Sequence, residues 1–152
     1  MKEAEKVAYD VLYLNDVCKV HRYLFTLLNR NKEYDTFSLI DSYMQHSEIR
    51  SRMDVGNWSA LNKSGKQLYN STPLKYAKGS NSQDDYDDTI LEWVADIYVR
   101  MQWKYNIPST FISRKIPAKD IYKAYYPLHE TSYDNACAKL YSKYIKLGDL
   151  NE

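Results

Sequence analysis

Cys18 and His21 stand three residues apart in a stretch of helical apolar spacing, which makes them half of a zinc ligand set. A structural zinc site needs a second pair at short spacing, and the remaining histidines, His46 and His129, are isolated along the chain. The pair therefore reads as a core thiol beside a histidine at a helix interface, and no metal is expected. The run Asp84-Asp85-Tyr86-Asp87-Asp88 offers oxygen ligands, but it lacks the glycine and the spaced acids of a calcium loop. It reads as a solvated helix start. Cys137 with His129 is a candidate nucleophile and base only because both types are rare; neither carries an elbow motif, and Cys137 falls on the apolar face of its helix. One long-range disulfide between Cys18 and Cys137 is the alternative to two buried thiols in a reducing compartment, and the buried thiols are preferred. The four glycines are scattered, with no phosphate-cradling loop among them. The expectation is a non-enzymatic chain without a cofactor.

Two surface chemistries remain. From Val99 to Lys146 nine Lys and Arg face three acids, and Ser109–Tyr126 has the outline of two short helices joined at Ile116-Pro117, loosely like a helix-turn-helix. The turn lacks the usual glycine and the whole chain carries only +1, so DNA binding is the second choice. The first choice is protein binding. The chain has sixteen tyrosines against three phenylalanines, and tyrosine combines an apolar ring with a polar tip. Part of that excess is what an AT-rich genome would produce. Tyr122, Tyr125 and Tyr126 share one face of a short helix, and Trp103 lies upstream. Arg100, Trp103, Tyr122, Tyr125 and Tyr126 are the candidate partner-binding residues, with core packing as the competing reading. A homo-oligomer is a further option.

These residues need a scaffold. With 152 residues, 44% of them apolar, the chain fits one domain spanning 1–152. Scarce glycine and proline, four each, argue for long helices over sheet. The fold class is all-α, roughly five to six helices around a central buried helix at 87–105. Helical spacing predicts a first helix over Lys2–Leu28 and a second from Asp35, ending between Met44 and Arg52. Asp54–Gly65 is ambiguous, with Trp58 and Leu61 marking a short packed turn or helix that Gly65 would end. A long surface loop follows at about 69–84. On the central helix Asp88, Glu92, Asp96, Arg100 and Lys104 form one charged row, with Asp96 and Arg100 placed to pair. Pro108 stops that helix. Ser109 caps a short one, Pro117 opens another that Pro127 ends, and Ser132 caps the last, which Gly148 terminates. No run reaches membrane-spanning length and the charged N-terminus lacks a signal pattern, so a cytoplasmic location is expected.

The segment Trp93–Tyr98, Gln102–Pro108, Ile116-Pro117 and Tyr126–Glu130 resembles small helical proteins of AT-rich bacteria and their mobile elements. The resemblance covers the C-terminal 60 or so residues. Some of these proteins occur beside toxin-like genes, which implies an antitoxin-like partner role; the resemblance assigns no site residue.

Overall fold

The computed structural model describes residues 7–80 and 85–146. Within them the chain is all-helical, its one pair of bridged backbone segments being Tyr34 against Gly79. The central element is α6 (Asp88–Tyr105). Asp87 starts it by accepting hydrogen bonds from the Thr89 and Ile90 N–H groups, and Asn106 ends it in the left-handed conformation just before Pro108. Leu91, Val94, Ala95, Ile97, Tyr98, Val99 and Met101 are fully buried, so α6 is the core around which the other helices pack. α1 (Leu14–Arg30) lies along it, and α7 (Ser109–Lys115), α8 (Ala118–Leu128) and α9 (Tyr133–Leu140) pack on it as well.

The charged row of α6 departs from its expected form. Asp96 is buried, and its partners come from other helices: Arg22 Nη1 of α1 donates at 2.6 Å and Tyr133 Oη of α9 at 2.7 Å. Arg100 lies over the Tyr133 ring, 4.6 Å from its centroid, instead of pairing with Asp96. A carboxylate inside the fold needs donors close by, and these three side chains bind α1, α6 and α9 together.

The N-terminal half is more finely divided than the spacing predicts. The first helix begins at a 3-10 turn, Val11–Tyr13, because Asp10 accepts the Leu12 N–H and caps it; residues 2–6 of the expected helix lie outside the described residues. α2 (Thr36–His46) starts at the predicted cap, Asp35, which accepts the Ser38 N–H. Ser47 both ends α2, within the predicted limits of Met44 to Arg52, and caps a further helix, α3 (Glu48–Asp54). Two more short helices follow, α4 (Trp58–Leu61) and α5 (Gly65–Asn70). Gly65 opens α5 rather than ending the turn before it, since Ser64 and Gln67 form a reciprocal capping box. The expected loop at 69–84 is thus shorter. It holds a second 3-10 turn, Leu74–Tyr76, and is strapped to α2 by the Asp35 N–H to Lys78 carbonyl bond and by Lys78 N–H to Ser38 Oγ. Residues 81–84 lie outside the described residues.

Two prolines in the C-terminal half set a shared problem. Pro108 and Pro117 occupy the N-cap positions of α7 and α8, and neither has a side chain that can cap. Carboxylates from elsewhere do so. Asp54 at the end of α3 accepts from both the N–H and the hydroxyl of Ser109 at 2.8 and 2.9 Å, and Asp41 of α2 accepts the Ala118 N–H at 2.9 Å. Ser109 is therefore capped rather than capping. Pro127 does not end α8; it sits within its last turn, and the helix runs to Leu128. Ser132 caps α9 as predicted, and the chain continues into a π-helical segment, Tyr141–Lys146; Leu147 and Gly148 lie outside the described residues. Nine α-helices in the described residues therefore replace the expected five to six, the added ones being short.

Candidate functional site

The five residues picked from the sequence do not form one patch. Arg100 and Trp103 lie at the C-terminal end of α6, where Trp103 Nε1 donates to the Tyr9 carbonyl at 2.8 Å and the Trp103 carbonyl accepts the Ala8 N–H at 3.0 Å. Tyr122 lies at the opposite end of α6, about 22 Å along the axis at 1.5 Å per residue. Its hydroxyl accepts the Asp87 N–H, and its ring packs edge-on against Phe37 and Tyr86. Tyr125 meets Trp93 edge-on at 5.6 Å and stacks on His129 at 4.2 Å. Of the three tyrosines on α8, only Tyr126 is widely exposed, at 73%. The tyrosine face of α8 is turned toward α6 and α2, and for Tyr122 and Tyr125 core packing accounts for the ring.

Another solvent-facing aromatic cluster stands among the described residues. Tyr13, Asp16, Val20 and Tyr23 recur at three- and four-residue spacing at the start and along one face of α1. Trp58 and Leu61 stand across from them on α4, and the Tyr13 and Trp58 rings meet edge-on at 5.7 Å. Between α1 and the α4–α5 segment runs a groove of about 540 Å³ lined by these residues with Lys19, Lys63 and Gly65. Gly65 sets its depth: a Cβ there would stand 2.5 Å from Tyr23 Cδ2 and 3.2 Å from the Val20 carbonyl oxygen, so only glycine lets the ring close over α5. Trp58 is 63% exposed and Tyr23 51%, and Leu12 and Val55 nearby on the chain are 80% exposed. Val55 and Gly56 form the α3–α4 turn, and Gly56 lies against Ala8 and Tyr9 of the N-terminal segment. Exposed aromatic side chains grouped around one groove, here Tyr13, Tyr23 and Trp58, mark a candidate interaction surface.

A second groove, of about 480 Å³, is polar and lies along α2. It is the concave polar site an enzyme would need, and Asp35, Asp41, His46, Lys78 and Lys119 line it. Burial pushes the Asp41 carboxyl up to about 6, against the hydrogen bonds from the Ala118 N–H and the Ser113 hydroxyl. Both carboxylates, however, already cap helices, and His46 is stacked at 3.6 Å on Tyr76.

The other residues tested for chemistry are inside the fold. Cys18 and Cys137 are free and buried, and burial pushes their thiols up to about 11 and about 12, which keeps them protonated and inert. His21 is fully buried; its Nδ1 faces the Val17 carbonyl at 2.8 Å and its Nε2 the Tyr43 hydroxyl at 2.7 Å. A carbonyl can only accept, so Nδ1 carries the proton and Tyr43 donates to Nε2. His129 Nδ1 similarly faces the Tyr125 carbonyl. Among the described residues no group of three or more His, Cys, Asp and Glu side chains gathers as a metal site would require, and no helix is long and apolar enough to cross a membrane.

Sequence reasoning missed the α1–α4 groove because it took Trp58 and Leu61, on a short turn or helix, as packed inside and ran the first helix through Tyr13. The available signal was the consecutive apolar run Val11-Leu12-Tyr13, which no single buried helix face can absorb. Compared with known proteins, the chain matches no family model, no curated protein and no solved structure.

Proposed function

We propose that this protein is a non-enzymatic interaction module that binds another protein through the groove between α1 and α4–α5. The single observation that carries the reading is the exposure of Trp58 and Tyr23 across that groove. Covering the exposed part of one tryptophan is worth on the order of 2–3 kcal/mol, the size of an interface hot spot. Lys19, Lys63 and Asp16 rim the groove and would orient the partner rather than hold it. The resemblance of the C-terminal segment adds a partner class: a toxin-like protein of which this chain would be the neutralising half.

Native affinity capture with quantitative mass spectrometry tests the reading. A partner recovered by the wild-type chain should be depleted about tenfold or more by Trp58→Ala with Tyr23→Ala, at unchanged melting temperature. Equal recovery by the variant would contradict it. If the partner is toxin-like, co-expression of this chain should relieve the growth arrest it causes. A second reading, DNA binding, is favoured by one observation: Lys119, Lys123 and Tyr126 are all exposed on α8 at four- and three-residue spacing. It predicts duplex binding that weakens steeply with salt, and no shift at low salt would remove it.

A further inference from the structure

A third groove, about 420 Å³, lies between α8 and the arm formed by α9 and its π-helical continuation. Its two walls are helical faces. Asp120, Lys123, Ala124, Pro127 and Leu128 follow one face of α8, and Lys139, Leu140, Lys143 and Tyr144 follow one face of the arm. The floor is apolar and the rim is cationic. Lys123, Lys139 and Lys143 are exposed, and among the described residues none of them enters an ion pair. Lys143 lies 5.2 Å from the centroid of the Tyr144 ring, and Asp120 is the one acid on the rim. The π-helical segment carries Lys143 and Tyr144. The groove shares no lining residue with the one between α1 and α4–α5.

We propose that this groove docks an acidic amphipathic helix of a partner protein, its apolar face on Ala124, Pro127, Leu128 and Leu140 and its carboxylates against Lys123, Lys139 and Lys143. Three unpaired cations around an apolar floor complement a helix with an apolar stripe and acidic flanks. A nucleic-acid backbone would use the lysines and leave the floor wet, and a chain of net charge +1 supplies little long-range attraction for it.

The test uses the full chain and a fluorescein-labelled helical peptide with leucines at i, i+4 and i+7 and flanking glutamates, followed by fluorescence anisotropy. Binding should weaken about tenfold in Lys123→Glu/Lys139→Glu/Lys143→Glu, and by a similar factor when the peptide glutamates become glutamines or its sequence is scrambled at constant composition. Trp58→Ala should leave it unchanged, which separates this surface from the other groove. Circular dichroism checks that the lysine variant is folded, and Lys139→Gln/Lys143→Gln gives a milder version of the same loss. No binding of the peptide, equal binding of the scrambled or glutamine peptide, or tighter binding to duplex DNA or to phosphatidylserine–phosphatidylcholine vesicles would overturn the proposal.

Discussion

Asp54 stands where three helices, α3, α6 and α7, meet. It accepts from Arg50 within α3, caps α7 through Ser109, and its backbone carbonyl accepts from Gln102 of α6. Arg50 is fully buried, and removing its carboxylate leaves an uncompensated guanidinium inside the fold. Asp54→Ala should therefore destabilise the protein by about 3–5 kcal/mol in chemical denaturation. Asp41 and His21 make a pH signature. Asp41 has a folded pKa of about 6 against 3.8, so the stability it contributes is present below the lower value and lost as pH rises through the upper one. His21 is pulled down from 6.5 to about 3 by burial and then by the nearby Arg50 charge, so its contribution is present above 6.5 and lost on acidification. Between about pH 6 and 3.8 the two slopes oppose and cancel, so net stability should dip from pH 6.5 to about 6, hold level, and fall again below 3.8, where only the histidine still responds. Asp41→Asn keeps an acceptor for the Ala118 N–H and removes the opposing slope. It should be about 1–2 kcal/mol more stable than wild type at pH 7 and lose that advantage by pH 4, as denaturant titrations across the range would measure.

At the scale of elements, the parts that were legible in the sequence are those whose signal is local. The caps Asp35, Asp87 and Ser132, the buried face of α2 and the near-complete burial of α6 all follow from spacing and side-chain chemistry. What was not legible depends on partners distant in the chain. Nothing near Pro108 or Pro117 announces that Asp54 and Asp41 will cap the helices that follow. The row Asp88 to Lys104 looks solvated until Arg22 and Tyr133 arrive at Asp96. Gly65 reads as a helix end because its real constraint, the Tyr23 ring from α1, is not local. Gly65→Ala should cost about 1–3 kcal/mol through overpacking and should widen the groove between α1 and α5. If the clash with the ring is the cause, adding Tyr23→Ala should recover most of that loss in a thermal melt, a coupling that a purely local effect at Gly65 would not show.

For the whole molecule, the tyrosine count pointed to interfaces but not to a location. Side-chain type reports a preference for leaving water, and the chain can satisfy it internally, as with Tyr43, Tyr98 and Tyr122, or leave it for a partner, as proposed for Tyr13, Tyr23 and Trp58. Only the three-dimensional arrangement separates the two cases. The proposed binding surface lies on the N-terminal half, away from the segment that carries the resemblance and the basic charge. The most direct test is hydroxyl-radical footprinting of the full chain with and without the purified partner recovered by capture. Tyr13, Tyr23 and Trp58 should become protected on binding while Tyr126, exposed to a similar degree as Trp58, stays reactive. Protection of Tyr126 with Trp58 and Tyr23 left reactive would contradict the account.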